Sequence, residues 1–242
     1  MFFMENNIWK EIYDFYYLAN LFLLGNIDVS QGHAILNRGD ELLSRNLTDE
    51  VRIQTLFILA SISEKMAIKE ELVFLDQIIS LNLTNDSYLK AMLRKANYHM
   101  RNEETDQGYN LGRCLVDESI NRNNEIYLMQ GWEFLGKYYF ENNRYEEAVE
   151  AYAEMRTLAQ KIGKPGEIFR AQLKLGIIWN LMGNVGIALE ILMNSSTYAQ
   201  DNNMPLEWSI ADSLRASIFS SIGCKDETSL LLKNCRKIIE RL

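Results

Sequence analysis

Catalysis needs nucleophiles, acids, bases or metal ligands at workable spacings, and this sequence offers few. Its only histidines are His33 and His99, with no His-x3-His or His-Glu-x2-His pair to hold zinc. It has no Gly-x4-Gly-Lys-Ser/Thr loop to cradle a phosphate and no Gly-x-Ser-x-Gly elbow to present a serine. The three cysteines, Cys114, Cys224 and Cys235, include no Cys-x-x-Cys and read as buried free thiols of a reducing compartment, the cytoplasm. The acid pairs Glu103-Glu104 and Glu146-Glu147 fall at helix starts, where carboxylates favour the helix dipole without any catalytic duty. No enzyme, cofactor or metal is expected.

The elements that hold these residues repeat. In Trp132–Met155 two helical periods flank an Asn-Asn-Arg turn, with Gly136 and Ala148 small where two helices must approach. Leu135-Gly136 returns as Leu175-Gly176, Ala148 as Ala188, Tyr152 as Leu192, and Pro165 as Pro205, all forty residues apart. Proline suits a first helical turn, so both prolines mark helix starts at one phase. In this frame His99 sits one step before Tyr139, at a packing position, and His33 beside Ala34 reads as core too. Trp132 and Trp179 are core positions of the repeat; Trp9 and Trp208 lie outside it and are the better candidates for an exposed contact.

The pattern gives twelve helices in six antiparallel pairs. The first spans about Asn7 to Leu24 and stops at Gly25-Asn26; Ser30 is a candidate cap for the second. The third opens at Thr48-Asp49-Glu50 and is apolar nearly all round, which makes it central. The fourth covers about 69–81, and Asn82–Asp86 is a turn cluster. The fifth covers about 86–101 and the sixth about 105–120, with Gly108 and Gly112 on one face. The opening hairpin supplies the seventh and eighth. The ninth begins at Pro165, the tenth spans about 186–201, the eleventh runs from Pro205 to Gly223, and the twelfth from Lys225 to Leu242.

No linker composition interrupts the 242 residues, so residues 1–242 read as one continuous domain. The net charge of −8, with both signs interspersed, argues against a nucleic-acid surface. The apolar run Phe15–Leu24 is too short for a membrane span and is interrupted upstream by Lys10, Glu11 and Asp14. It is either a buried first helix or an exposed face for dimerisation or docking. Four Asn-x-Ser/Thr sequons, at Asn46, Asn82, Asn85 and Asn194, are unremarkable in an Asn-rich chain. The twelfth helix has more leucine and isoleucine than one inner stripe needs, so it is poorly capped or meets another chain, and a homodimer through a terminal helix is an open expectation.

The Trp132, Leu135-Gly136, Tyr139, Ala148 and Tyr152 pattern resembles the tetratricopeptide repeat. Its forty-residue step is similar to the long repeats of MalT-like and Rap/PlcR/Rgg-like regulators. The resemblance implies an all-α fold, a right-handed superhelical solenoid of about six hairpins, whose first helices line a concave groove that binds a protein or peptide partner. Transferred by phase, the groove candidates are Lys90, Arg94 and Asn97; Gln130, Glu133 and Lys137; and Arg170, Lys174 and Asn180. The expected role is a scaffold, adaptor or chaperone. The alternative is a peptide-sensing regulator of the Rap/PlcR/Rgg type without its own DNA-binding domain.

Overall fold

The computed structural model describes residues 2–81 and 86–240, with side chains from Ile8 onward. Of the turn cluster expected at Asn82–Asp86, residues 82–85 lie outside the described residues. Among those residues there is no strand, and the fold is all-α. The chain divides into two compact units, residues 1–111 and 112–242.

The first unit contains α1 (Phe2–Leu23), a 3-10 turn (Val29–Gln31), α2 (Gly32–Leu43), α3 (Asp49–Lys65), α4 (Glu70–Ser80), α5 (Ser87–Arg101) and the start of α6 (Thr105–Asn121). As its composition requires, α3 is central: Leu56, Leu59, Ala60 and Ile62 are buried with Phe15 and Phe22 of α1, Leu36 of α2 and Leu75 of α4. The Thr48 hydroxyl caps α3 by accepting the Val51 N–H at 3.4 Å. Gly25 ends α1 at φ +84°, as its sequence position implies. The expectation for Ser30 is corrected. It caps nothing; its N–H donates to the Asp28 carboxylate at 2.8 Å, and the chain makes the 3-10 turn before α2 begins. His33 is also corrected, being exposed on α2 rather than packed.

The second unit holds the rest of α6, then α7 (Glu125–Glu141), α8 (Tyr145–Lys161), α9 (Pro165–Leu181), α10 (Val185–Asp201), α11 (Pro205–Ser221) and α12 (Lys225–Ile239). From α6 to α12 each helix starts 20 residues after the last, because every helix from α6 to α11 has 17 residues and every turn has three. The turns share one construction. Residues 123, 143, 163, 183, 203 and 223 take positive φ, and the next N–H reaches back five residues to a helix carbonyl. Arg144 N–H to Tyr139 O is 2.8 Å and Asn184 N–H to Trp179 O is 2.9 Å. This is the Schellman closure, which satisfies carbonyls the helix end would otherwise strand. Glycine or asparagine fills those six sites, the residues that reach this backbone region at least cost.

Small residues set the pair spacing. A Cβ at Gly176 would stand 2.7 Å from the Leu192 side chain, and one at Gly136 3.1 Å from the Tyr152 ring. Ala148 and Ala188 are fully buried. Each second helix then packs on the next first helix: Met155 and Ala159 of α8 join Ile168, Ala171 and Leu175 of α9, and Leu192 of α10 joins Ile218 of α11. On α12 the equivalents of Leu192 and Ala199 are Leu232 and Ile239, exposed at 50% and 58%. Cys235 is buried as expected, but Cys224 is half-buried and Cys114 exposed, so burial is not shared by all three thiols.

Candidate functional site

The sequence candidates occupy first helices of successive pairs. In the first unit they lie on α5, where the protein uses most of their bonding capacity itself. The half-buried Arg94 guanidinium donates to Ser61 Oγ at 3.0 Å and Glu64 Oε2 at 3.1 Å, and stands 3.6 Å from Glu71. Asn97 turns back on its own helix, donating to Leu93 O at 2.9 Å. Lys90 is exposed, with its ammonium 4.5 Å from the centre of the Phe57 ring. Arg94 thus clamps α5 to α3 and α4 rather than waiting for a ligand.

In the second unit α9 touches α11, and an ion pair links α9 to α7, so the first helices form one layer. Four candidates converge there. Arg170 of α9 reaches Glu133 of α7 at 3.3 Å and also pairs with Glu167. Lys137 and Lys174 act electrostatically on the same Glu133 carboxyl. Burial pushes that carboxyl above its ordinary range, against the pull of Arg170, Lys174 and Lys137. Lys137 is exposed, 3.8 Å from Glu141, and Lys174 is exposed with its ammonium 6.0 Å from the centre of the Phe140 ring. Gln130 lies one turn earlier on α7; its Oε1 is buried without a hydrogen-bond partner. Asn180 is half-buried near the end of α9.

Sequence reasoning selected polar residues and missed exposed apolar ones on the first helices of the second unit. Ile126 on α7 and Leu206 and Ile210 on α11 are exposed, at 48%, 55% and 39%. The signal was available: Ile210 is one forty-residue step beyond Arg170. A buried polar knot was also missed. The Asp212 carboxylate accepts from Ser196 Oγ at 2.8 Å, Trp208 Nε1 at 2.9 Å and Arg215 Nη1 at 2.8 Å. Trp208 is therefore a half-buried donor to Asp212 of its own helix and not a free contact, whereas Trp9 is exposed at 59%. His99 is buried, with its ring edge-on to Tyr98 and Nδ1 bonded to Glu104. Among the described residues no group of three His, Cys, Asp or Glu side chains is placed to hold a metal. Among the same residues no helix is long and apolar enough to cross a membrane.

The fold is that of a tetratricopeptide-like helical repeat protein. Three solved structures show the likeness. The TPR-like repeats of a putative kinesin light chain from Podosopora anserina match at TM-score 0.65 and 17% identity, over 80% of this chain and 97% of that one. Apo RapI matches at TM-score 0.71 and 13% identity, over 96% and 84%. A Rap protein complexed with competence and sporulation factor matches at TM-score 0.56 and 12% identity, over 98% and 66%. No family model and no curated protein matches the sequence.

Proposed function

We propose that this chain is a protein-interaction module, a scaffold, adaptor or chaperone, that binds an extended polypeptide segment along α7, α9 and α11. The observation that carries the reading is the convergence of Lys137, Arg170 and Lys174 around the half-buried Glu133, in a layer of first helices that also exposes Ile126, Leu206 and Ile210. Cations and a carboxylate set side by side can engage either polar group of a peptide backbone, and the apolar residues supply burial. Reading 1–242 as one domain, located in the cytoplasm, belongs to the same proposal. A second reading, a regulator that senses a short peptide, is supported by the similarity to RapI over 96% of this chain.

The test is affinity purification from the native cells, followed by titration of the recovered segment into the purified protein. A stoichiometric protein supports the first reading; a short peptide that raises the melting temperature supports the second. Lys137→Ala with Lys174→Ala is expected to weaken either interaction about tenfold or more, with the melting curve unchanged. Undiminished affinity in that double variant refutes the placement.

A further inference from the structure

An exposed aromatic ridge runs along α1, apart from the residues of the proposed binding site. Trp9, Tyr13 and Tyr17 are 59%, 69% and 55% exposed. Spaced four apart, they share one helix face, while Ile12, Phe15, Ala19 and Phe22 fill the core. The Tyr13 and Tyr17 rings lie nearly parallel, 9° apart in plane, with centroids 6.4 Å apart. Those fractions leave about 350 Å² of aromatic surface on one side of a single helix. That equals the largest apolar patch of many monomers. Two charges flank the ridge on one side. Lys10 is exposed and has no ion pair among the described residues, and Asp14 meets Arg38 only at 3.6 Å.

We propose that α1 docks on α1 of a second copy of this chain, antiparallel, about a two-fold axis at Tyr13. Such an axis sets Trp9 against Tyr17 of the partner subunit and Tyr13 against the partner's Tyr13. In an antiparallel helix pair each flank faces the same flank of its neighbour. Lys10 then stands within about 3 Å of axial offset from the partner's Asp14, and the symmetric pair forms on the other side of the axis. Two ion pairs close over six aromatic rings. This self-complementary charge pattern selects a second copy. A bilayer surface would press Asp14 toward lipid. The aromatic area per copy is below the roughly 800 Å² of a standard interface, so the dimer dissociates at on the order of 10 μM.

Sedimentation equilibrium of the full chain from about 1 to 200 μM tests this. The average mass should rise from 28.1 kDa toward twice that value. Tyr13→Asp, at a position open to solvent, should raise the dissociation constant at least about 30-fold with an unchanged melting curve. Lys10→Glu and Asp14→Lys should each weaken association about tenfold alone. An equimolar mixture of the two should recover wild-type association, because each mixed pair restores opposite charges on both sides of the axis. A single 28.1 kDa species at every concentration overturns the proposal. So do association that Tyr13→Asp leaves intact, failure of the mixture to recover, and ridge-dependent vesicle binding by a chain that stays monomeric.

Discussion

Removing the Glu71 carboxylate asks how the first unit holds α4 to α5. Glu71 is 2% exposed on α4 and accepts from Arg101 Nη2 of α5 at 2.9 and 3.2 Å, with Arg94 at 3.6 Å. Stranding a buried charge commonly costs 3–5 kcal/mol. Here both arginines keep Glu64, at 3.1 Å from Arg94 and 2.9 Å from Arg101, and the Arg101 side chain is 45% exposed. Glu71→Ala is therefore expected to cost less, about 2 kcal/mol from two screened charge-assisted bonds and the lost methylenes. Glu71→Gln, which keeps the shape and an acceptor, should cost under about 1 kcal/mol at neutral pH.

The two forms of the carboxyl give a second reading of the same site. Burial raises the Glu71 pKa despite Arg101 and Arg94. The folded state then holds the Glu71 proton more tightly than the unfolded chain does. The stability linked to that proton is full below the ordinary glutamate range and is lost as pH rises through the raised value, while the bonds from Arg101 persist. Wild-type stability minus that of Glu71→Gln should accordingly fall as pH rises above the ordinary glutamate range. Urea unfolding by circular dichroism measures that difference, and hydrogen exchange of α4 and α5 peptides localises the alanine effect. A loss under about 0.5 kcal/mol in Glu71→Ala, or a difference that grows with pH, refutes the reasoning.

Other perturbations separate contact from backbone conformation. Gly176→Ala should destabilise by about 1–3 kcal/mol in urea, because its Cβ would lie 2.7 Å from Leu192. Gly186→Ala, whose Cβ meets nothing within 4 Å, should instead stabilise by about 0.5 kcal/mol. Ala67 and Glu103 hold φ +55° and +62°, so Ala67→Gly and Glu103→Gly should each raise thermal stability by about 0.5 kcal/mol. A loss at either site would mean that chain entropy outweighs relief of the turn.

The repeat was legible because packing demands recur at a fixed phase. Leu135-Gly136 and Leu175-Gly176 show where one helix crosses another, and Pro165 and Pro205 show where helices begin. The half-step of 20 residues was partly hidden, because Glu103 holds a turn position where asparagine or glycine stands in the later turns. His33 and Ser30 misled because one residue beside an apolar neighbour does not reveal which way its face turns. Groove positions carried over by phase from the resemblance put Lys137, Arg170 and Lys174 on first helices. Phase could not reveal that Arg94 is occupied, since its partner Glu64 lies 30 residues earlier on another helix. The Phe15–Leu24 run was left open between core and contact, since aromatic residues occur on both sides of a helix whose partners are unknown, and the ridge of Trp9, Tyr13 and Tyr17 was not read.

The uniform turns of the second unit bear on how such a chain can change in length. A single residue inserted within a helix rotates everything after it by about 100° and misaligns each later contact. Duplication or loss between Leu135-Gly136 and Leu175-Gly176 instead adds or removes one whole hairpin and leaves its neighbours in phase. Recombination can therefore lengthen or shorten this architecture in whole units, altering the number of stacked hairpins while each surviving junction keeps its contacts.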